Sequence, residues 1–380
     1  MGIKMNGKKL GLLFGLVGVF TGIYAGDDSS CKKDCNDKKM QDCSPLCFAG
    51  PQLEDNYSFE VMGAAIYGVA SVQGSEIALN SSSRTDFNLP INAQGVEPTE
   101  QTSWGFKVGA GYKFNHDDWK IVGRYNWFKA NYDGSYSQNY GGGFFPTMYA
   151  NAAADYPGST PFGNLASFQN LDYDTNTVIQ YLNVYLIRPT LYTALLEISP
   201  YFGVDYINTT RKLTIMFSND NPQAGTTVQY YTNGGYFRTY NKNQFWGVGP
   251  MAGVYSNWYL GYDFGIFADA YFGVTYGNAR SYSQTVGYRP SQPSTATPLS
   301  SVATIQNSLY QYAPHMDLQL GLSWSHTFQD SCFAASFKIA YESAYYFQTY
   351  KTIINSVNYG VVNGAGIGLQ NLVLQGQIDF

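Results

Sequence analysis

The strongest constraint on the fold is a strict alternation of apolar and polar residues along several segments of the chain. In Met316–Trp324 (MDLQLGLSW), every second residue is apolar, and Asp, Gln, Gly and Ser fill the positions between. The same pattern runs through Phe333–Glu342, Phe106–Phe114, Trp119–Phe128 and Leu260–Phe272. Because successive side chains of a strand point to opposite faces, the pattern predicts β-strands with one apolar and one polar face.

Two architectures can use such strands. In a soluble sandwich the apolar face packs on a second sheet, whereas in a membrane barrel it contacts lipid and the polar face lines the lumen. Composition favours the barrel, because only 13% of the residues are charged, against about 25% in an ordinary soluble domain. Aromatic residues make up 17% of the chain, yet the mean hydropathy is only −0.23.

The spacing of the connections also favours a membrane barrel. Short turns are predicted near 115–118, 188–193, 256–259 and 328–331. They alternate with long polar connections near 72–102, 133–173, 211–242, 278–312 and 349–366. Outer-membrane barrels carry short turns on the periplasmic rim and long loops outside. We therefore expect an all-β fold, a transmembrane antiparallel up-and-down β-barrel.

About ten strands are expected, within a range of 10–14, and the count rises to twelve or more if part of 211–242 also crosses the membrane. Their approximate positions are 57–71, 103–114, 119–132, 174–187, 194–209, 243–255, 259–277, 313–327, 332–348 and 367–380. Both ends of this series lie on the rim of the short turns.

The N-terminal residues predict export from the cytoplasm. Three lysines precede the apolar run Leu10–Ile23, and the small residue Ala25 follows it. This is the pattern of a secretory signal peptide, assigned here to 1–25. A membrane anchor is the alternative, but the run is short and four glycines interrupt it. We expect a cysteine-containing periplasmic segment at 26–55 and the barrel at 56–380.

The last strand predicts the bacterial outer membrane as the location. The ending LVLQGQIDF alternates, with Ile378 and Phe380 on one face. An alternating strand that ends on an aromatic residue resembles the targeting signal of bacterial outer-membrane barrels.

Several strand segments resemble one family. They are FWGVGPMAGV (Phe245–Val254), Trp258–Gly277, Asp317–Trp324, Gly111–Ala130 and Gly368–Phe380. Together they resemble the Legionella-type major outer membrane proteins, a family shared with chlamydia-related bacteria. The resemblance implies an abundant pore-forming protein of the outer membrane. Met251 stands where the family pattern implies a basic residue, so no ion selectivity is carried over.

A barrel of ten to twelve strands leaves a narrow passage at best, which predicts passive diffusion of small solutes or ions. Candidate lumen residues are Glu60, Lys107, Lys113, Lys120, Arg124, Asp205, Asp263, Asp269, Asp317, Lys338 and Glu342. Each of them either lines a passage or closes it as part of a buried ion pair. Because acids and bases are mixed, we expect weak selectivity.

The expected partners are outer-membrane lipid, small hydrophilic solutes and other copies of the chain. The formal net charge of −5 argues against nucleic acid. No cofactor or metal is expected.

Two other functions remain open. The first is a surface adhesin or structural barrel with little conductance, whose loops carry aromatic residues. These are Phe144, Phe145, Tyr149, Tyr230, Tyr231 and Tyr236. The second and less favoured function is a barrel-housed protease. His315 and Asp317 share a strand face, as in omptin-type outer-membrane proteases, and Asp172 and Asp174 are candidates for the second acidic group. We expect no enzyme, because no nucleophile elbow, phosphate loop or zinc helix motif is found.

Four of the five cysteines lie in one short stretch, CKKDCNDKKMQDCSPLC. In an exported protein disulfides are the default. The candidates are Cys31, Cys35, Cys43, Cys47 and Cys332. They form either nested bonds within the chain (Cys31–Cys47 and Cys35–Cys43) or bonds between protomers. A four-cysteine zinc site is the weaker alternative. The family resemblance also implies crosslinks in the envelope.

Overall fold

The computed structural model covers the barrel strands and part of their connections. The described residues are 59–74, 76–81, 83–84, 90–114, 119–138, 143–146, 168–190, 193, 195–218, 236–289, 299–328, 333–356 and 359–380. Within these ranges, no helix is long and apolar enough to cross a membrane. The predicted segments 1–25 and 26–55 lie outside the described residues, and so do all five cysteines.

Fifteen strands form within these ranges. They are β1 (Phe59–Val72), β2 (Ala78–Ser81), β3 (Ser83–Arg84), β4 (Pro90–Ile91), β5 (Gln94–Val96), β6 (Ser103–Lys113), β7 (Lys120–Ser137), β8 (Gly143–Pro146), β9 (Asn170–Ile187), β10 (Leu196–Ser218), β11 (Tyr236–Gly261), β12 (Phe264–Arg289), β13 (Leu299–Phe328), β14 (Phe333–Ser356) and β15 (Tyr359–Asp379).

Ten of these strands close into one antiparallel barrel, in the order β1-β15-β14-β13-β12-β11-β10-β9-β7-β6. The barrel closes because β1 pairs with both β6 and β15. Phe59 and Phe380 mark the seam, since their backbone groups exchange two hydrogen bonds of 2.7 and 2.8 Å. The predicted all-β barrel fold and its count of about ten strands are confirmed.

The outer face of the barrel carries an apolar band that marks the membrane. On β1 the outward residues from Phe59 to Tyr67 are apolar or small, and on β12 the band runs from Phe264 to Tyr276. Trp104, Trp246 and other aromatic residues border the band at the rim away from the short turns. A tilted membrane strand needs about 9–11 residues, so the band spans a bilayer.

Beyond the band the strands continue outside the membrane. On β11, Tyr236 lies ten residues before Trp246, which is about 33 Å along the strand. The predicted long connections are therefore partly strand: 211–217 extends β10 and 236–241 extends β11, and neither adds a crossing. On the β10 extension Leu213, Ile215 and Phe217 point inward and Lys212 and Thr214 point outward, which reverses the pattern of a membrane strand.

The first two long connections contribute small sheets of their own. Strands β5, β2 and β8 form one sheet, and β3 pairs with β4. Ile77, Ala78 and Phe144 from this region are buried against the inner wall, where Phe144 bridges to Phe168. The predicted exposed loop residue Phe144 is therefore part of the core. The other predicted loop aromatics lie outside the described side chains, except for the half-buried Tyr236.

Candidate functional site

The lumen at the level of the apolar band is filled by ionisable side chains, which we call the charged layer. Its members are Glu60, Lys107, Lys120, Arg124, Asp205, Asp269, His315, Asp317 and Glu342. They alternate with the outward lipid-facing residues of their strands, as Asp317 does with Leu318. The pleat of the strands therefore places them inside.

Two ion pairs join strands on one side of the lumen. The ammonium of Lys107 on β6 donates to Glu342 on β14, and the two side chains are only 5% and 1% exposed. Gln319 also donates to Glu342, at 3.1 Å. Lys120 on β7 donates to Glu60 on β1. Gly111 makes room for this pair, because any side chain at that position would collide with the Glu60 carboxylate.

A third ion pair crosses the lumen between β7 and β12. Arg124 Nη1 donates to Asp269 Oδ2 at 3.3 Å, and the hydroxyl of Tyr201 donates to Asp269 Oδ1 at 2.5 Å. The Arg124 guanidinium also lies 5.1 Å from the ring centre of Tyr185, which is a cation–π contact. Asp269 is thus held by groups from two other walls of the barrel.

A fourth contact joins β13 and β10. His315 Nε2 lies 2.7 Å from Asp205 Oδ2, and each residue is 1% exposed. The imidazole stacks on Tyr346, with ring centres 5.8 Å apart. Gly273 makes room for the imidazole, because a side chain there would collide with it. The neighbouring carboxylate, Asp317, accepts one long hydrogen bond of 3.5 Å from Tyr181.

These side chains leave little open space at the centre of the barrel. A cavity of about 20 Å³ lies between Lys107, Arg124, Asp269 and Asp317, which is room for roughly one water molecule. Several buried polar atoms around it have no partner among the described residues. They are Arg124 Nε, Asn126 Oδ1, Asn183 Oδ1 and Asp317 Oδ1.

Above the charged layer, away from the short turns, lies a second filling that we call the apolar layer. It consists of inward side chains such as Phe128, Leu171, Ile179, Ile207, Leu213, Phe217 and Phe245, with Ile77 and Phe144 from the small sheets. The guanidinium of Arg211 is buried next to the apolar layer, on the part of β10 beyond the membrane band. Burial lowers the pKa of Arg211 to about 10, and Tyr350 offsets part of this shift.

One wall of the extracellular segment remains polar, and we call it the polar strip. It is built from inward hydroxyl and amide side chains of β10–β12: Thr209, Thr239, Asn241, Asn243, Thr275, Ser281, Ser283 and Thr285. Thr239 and Thr285 lie within hydrogen-bond distance of each other, at 3.2 Å. The strip runs from the extracellular end toward Asp205 and His315, and Phe245 and Ala279 interrupt it at the level of Thr209.

Nearly all the residues predicted for the lumen lie on inward faces. Lys113 lies near the short-turn rim, and the Lys338 ammonium lies 4.7 Å from the ring centre of Tyr255.

Asp263 is the exception, and its predicted place in the lumen is wrong. It lies in the turn between β11 and β12, where it pairs with His326 at 2.6 Å, and both are about half exposed. Tyr262 and Asp263 both have positive φ there, so the turn predicted near 256–259 lies a few residues later. The alternation of Leu260, Tyr262 and Phe264 hides this turn in the sequence.

Sequence reasoning does not find the partners across the lumen. It groups His315 with Asp317 on the same strand, whereas the contact of His315 is Asp205, on β10. Asp172 and Asp174, candidates for a second acidic group, point outward from β9 and are exposed. Within the described ranges, no three His, Cys, Asp or Glu side chains are grouped to hold a metal ion.

Comparison with known proteins identifies the family. The family model described as the Legionella pneumophila major outer membrane protein precursor matches residues 51–379. The chain belongs to this family of major outer membrane proteins. The resemblance seen in the strand motifs is confirmed, and with it the location in the bacterial outer membrane.

Solved structures with a similar fold are distant. The outer membrane protease OmpT from Escherichia coli matches with 7% identity and a TM-score of 0.35, over 87% of this chain and 98% of its own. A major outer membrane protein from Thermus thermophilus matches with 11% identity and a TM-score of 0.30, over 86% and 100%. The toluene transporter TodX of Pseudomonas putida has 9% identity and a TM-score of 0.28, over 86% and 90%. No curated protein matches the chain.

Proposed function

We propose that this member of the major outer membrane protein family is a narrow pore for water, ions and other small hydrophilic solutes. The observation that carries the proposal is the polar strip, which runs from the extracellular end toward the charged layer, with Phe245 and Ala279 between the two. From there, inward polar residues continue to the short-turn rim through Ser323, Asn257 and Glu197. A polar route along one wall supplies hydrogen bonds to a solute that gives up its hydration.

The size of the cavity limits what this pore passes. Because the cavity between Lys107, Arg124, Asp269 and Asp317 is about 20 Å³, passage at this point needs the ion pairs of the charged layer to separate transiently. The long side chains of Lys107 and Arg124 can move in this way. The conductance is therefore expected to be far below that of barrels with 16–18 strands, which enclose open channels.

Planar-bilayer recordings of folded, purified protein test this proposal. The wild type should give small, brief conductance steps. The double substitution Lys107→Ala/Glu342→Ala removes a pair from the lumen without changing net charge, so its steps should be several-fold larger. The matched control Lys129→Ala/Asp133→Ala removes one base and one acid from the outer face of β7 and should resemble the wild type. Folded protein without steps in either the wild type or the lumen variant would refute the pore.

The closed centre also supports a second function, a structural or adhesive barrel with little conductance. In that case the ion pairs of the charged layer are permanent, and removing Lys107 and Glu342 opens no passage. The same recordings therefore decide between the two functions.

We infer that the barrel does not act as an enzyme. The acid–imidazole contact in its lumen, Asp205 with His315, is 1% exposed and covered by Tyr346. A general base must reach its substrate within hydrogen-bond distance, directly or through one water. Peptidase activity that is lost on His315→Ala would contradict this inference.

A further inference from the structure

The outer wall of the barrel carries a cluster of cations directly above the membrane band. Lys212 on β10, Lys242 on β11 and Arg280 on β12 all point outward. Lys212 and Lys242 are directly opposite in the ladder, and Arg280 is opposite Gln244, two residues from Lys242. The three residues form what we call the basic patch. Neighbouring strands lie about 4.8 Å apart, so their side chains can reach one ligand.

The three positive charges of the basic patch form no ion pair with a carboxylate among the described residues. Arg280 donates to the Asn278 side chain at 2.9 Å, and the ion pairs within 4 Å among the described residues include none of the three cations. Like charges directly opposite in a sheet destabilise the pair. At the same level, the outward residues of β13 are the uncharged Thr304, Gln306 and Ser308. Among the described side chains, β13 therefore adds no positive charge beside the patch.

The height of the patch fits a lipid headgroup. Lys242 lies four residues beyond the rim aromatic Trp246, and Arg280 four beyond Tyr276. Four residues are about 13 Å along a strand, or about 10 Å along the membrane normal at the usual tilt. The headgroup region of a leaflet is about 5–8 Å thick, and long basic side chains reach down into it.

A groove next to the patch provides hydrogen-bonding groups. It has a volume of about 490 Å³ and is lined by Asn131, Asp133, Asp174, Asn176, Lys212, Thr214 and Tyr240. Asn176 donates to Asn131 at 2.7 Å across its floor. Amide, hydroxyl and carboxylate groups of this kind bind sugar hydroxyls and amides. Asp133 and Asp174 lie farther from the membrane than Lys212. They therefore repel an anion at the basic patch less than one at the far end of the groove.

We propose that the basic patch and this groove bind the phosphorylated glucosamine headgroup of lipid A, the lipid of the outer leaflet. The lysines and the arginine contact the phosphates, and the groove contacts the sugar. This proposal depends on the outer-membrane location and is independent of conduction through the lumen.

Binding of bisphosphoryl lipid A to the refolded full-length barrel in detergent tests the proposal, with native mass spectrometry to measure retention. Each cation near an anionic membrane surface contributes about fivefold in affinity. The variant Lys212→Gln/Lys242→Gln/Arg280→Gln should therefore bind about a hundredfold more weakly. Arg238→Gln removes an outward arginine from the same strand as Lys242, four residues farther from the membrane, and should bind as the wild type does.

Three further measurements keep the test decisive. Heat-modifiable migration of every variant in gels reports whether the barrel is folded. The variant Lys212→Arg/Lys242→Arg should retain lipid A binding, because both positive charges are kept. Lipid A without phosphates should lose the contribution of the patch. The proposal is overturned if the triple variant binds as tightly as the wild type, or if removing the phosphates changes nothing. It is also overturned if inorganic phosphate alone occupies the patch as well as lipid A does.

Discussion

The charged layer and the apolar layer fill neighbouring segments of one lumen with different forces. In the charged layer, Lys107 and Glu342 are buried as a pair with polar groups around them. In the apolar layer, Leu213 and Phe217 pack against other hydrophobic side chains without any polar requirement. The strands that carry both layers are the same, so the difference lies in the side chains alone.

This difference predicts how the stability of the barrel responds to substitutions in each layer. Burying charges is costly, and a buried ion pair contributes little net stability compared with apolar packing of the same volume. Removing one partner of such a pair lowers the stability strongly, because the charge of the other partner stays buried without a counter-ion. Shortening a side chain in the apolar layer costs the transfer free energy of the deleted atoms plus the free energy of the cavity that they leave. The charged layer is therefore sensitive to single changes and tolerant of matched ones.

The largest expected effect is in the charged layer. Lys107→Met leaves the carboxylate of Glu342 without its counter-ion, and the loss should be about 3–5 kcal/mol. The free energy of unfolding, measured by urea titration in lipid vesicles with tryptophan fluorescence, checks this value.

The control for this change is the double variant Lys107→Met/Glu342→Gln. Its amide still accepts from Gln319, and neither position of the pair carries a buried charge, so most of the lost stability should return. A double variant as unstable as Lys107→Met would contradict the difference between the two layers.

The second effect belongs to the apolar layer. Leu213→Ala should lower the free energy of unfolding by about 2–5 kcal/mol, because Leu213 is 2% exposed and its neighbours cannot fully close the cavity. The same titration measures it, with the outward neighbour Thr214→Ala as a control that should change little. A loss for Leu213→Ala no greater than for Thr214→Ala would mean that this layer is loosely packed.

The smallest expected effect concerns Arg211, a charged residue buried next to the apolar layer. Arg211→Met should stabilise the barrel by about 1–4 kcal/mol, because it removes a buried guanidinium whose Nε has no partner among the described residues. The pKa of Arg211 falls to about 10 on folding, so the folded state sheds this proton first. The advantage of Arg211→Met should shrink as the pH rises above 10. A destabilised variant would indicate that Arg211 binds a group essential to the fold.

The membrane band is predictable from the sequence, and for a clear physical reason. Lipid on one side and a polar interior on the other impose a strict alternation, which Leu318, Asp317 and their neighbours follow. Outside the membrane this requirement ends, and residues 299–309 of β13 have polar groups on both faces. In the sequence, the strand extensions therefore look like loops.

The members of the candidate site are predictable, whereas their contacts are not. Inward direction is a local property, so the alternation alone is enough to find Lys107, Asp269 and Glu342. Which acid meets which base depends on barrel closure, and Arg124 and Asp269 are far apart in the chain. Tyr201, which donates to Asp269, carries no signal of its own in the sequence.

The seam between Phe59 and Phe380 has a consequence for assembly. The last barrel strand in chain order, β15, forms the ladder that closes the barrel on β1. Until β15 pairs with them, β1 and β14 each expose an unpaired edge. Such dependence on the most distant contacts of the chain makes folding slow and all-or-none. A polypeptide lacking β15 would thus expose the unpaired edges of β1 and β14, which can pair with other chains.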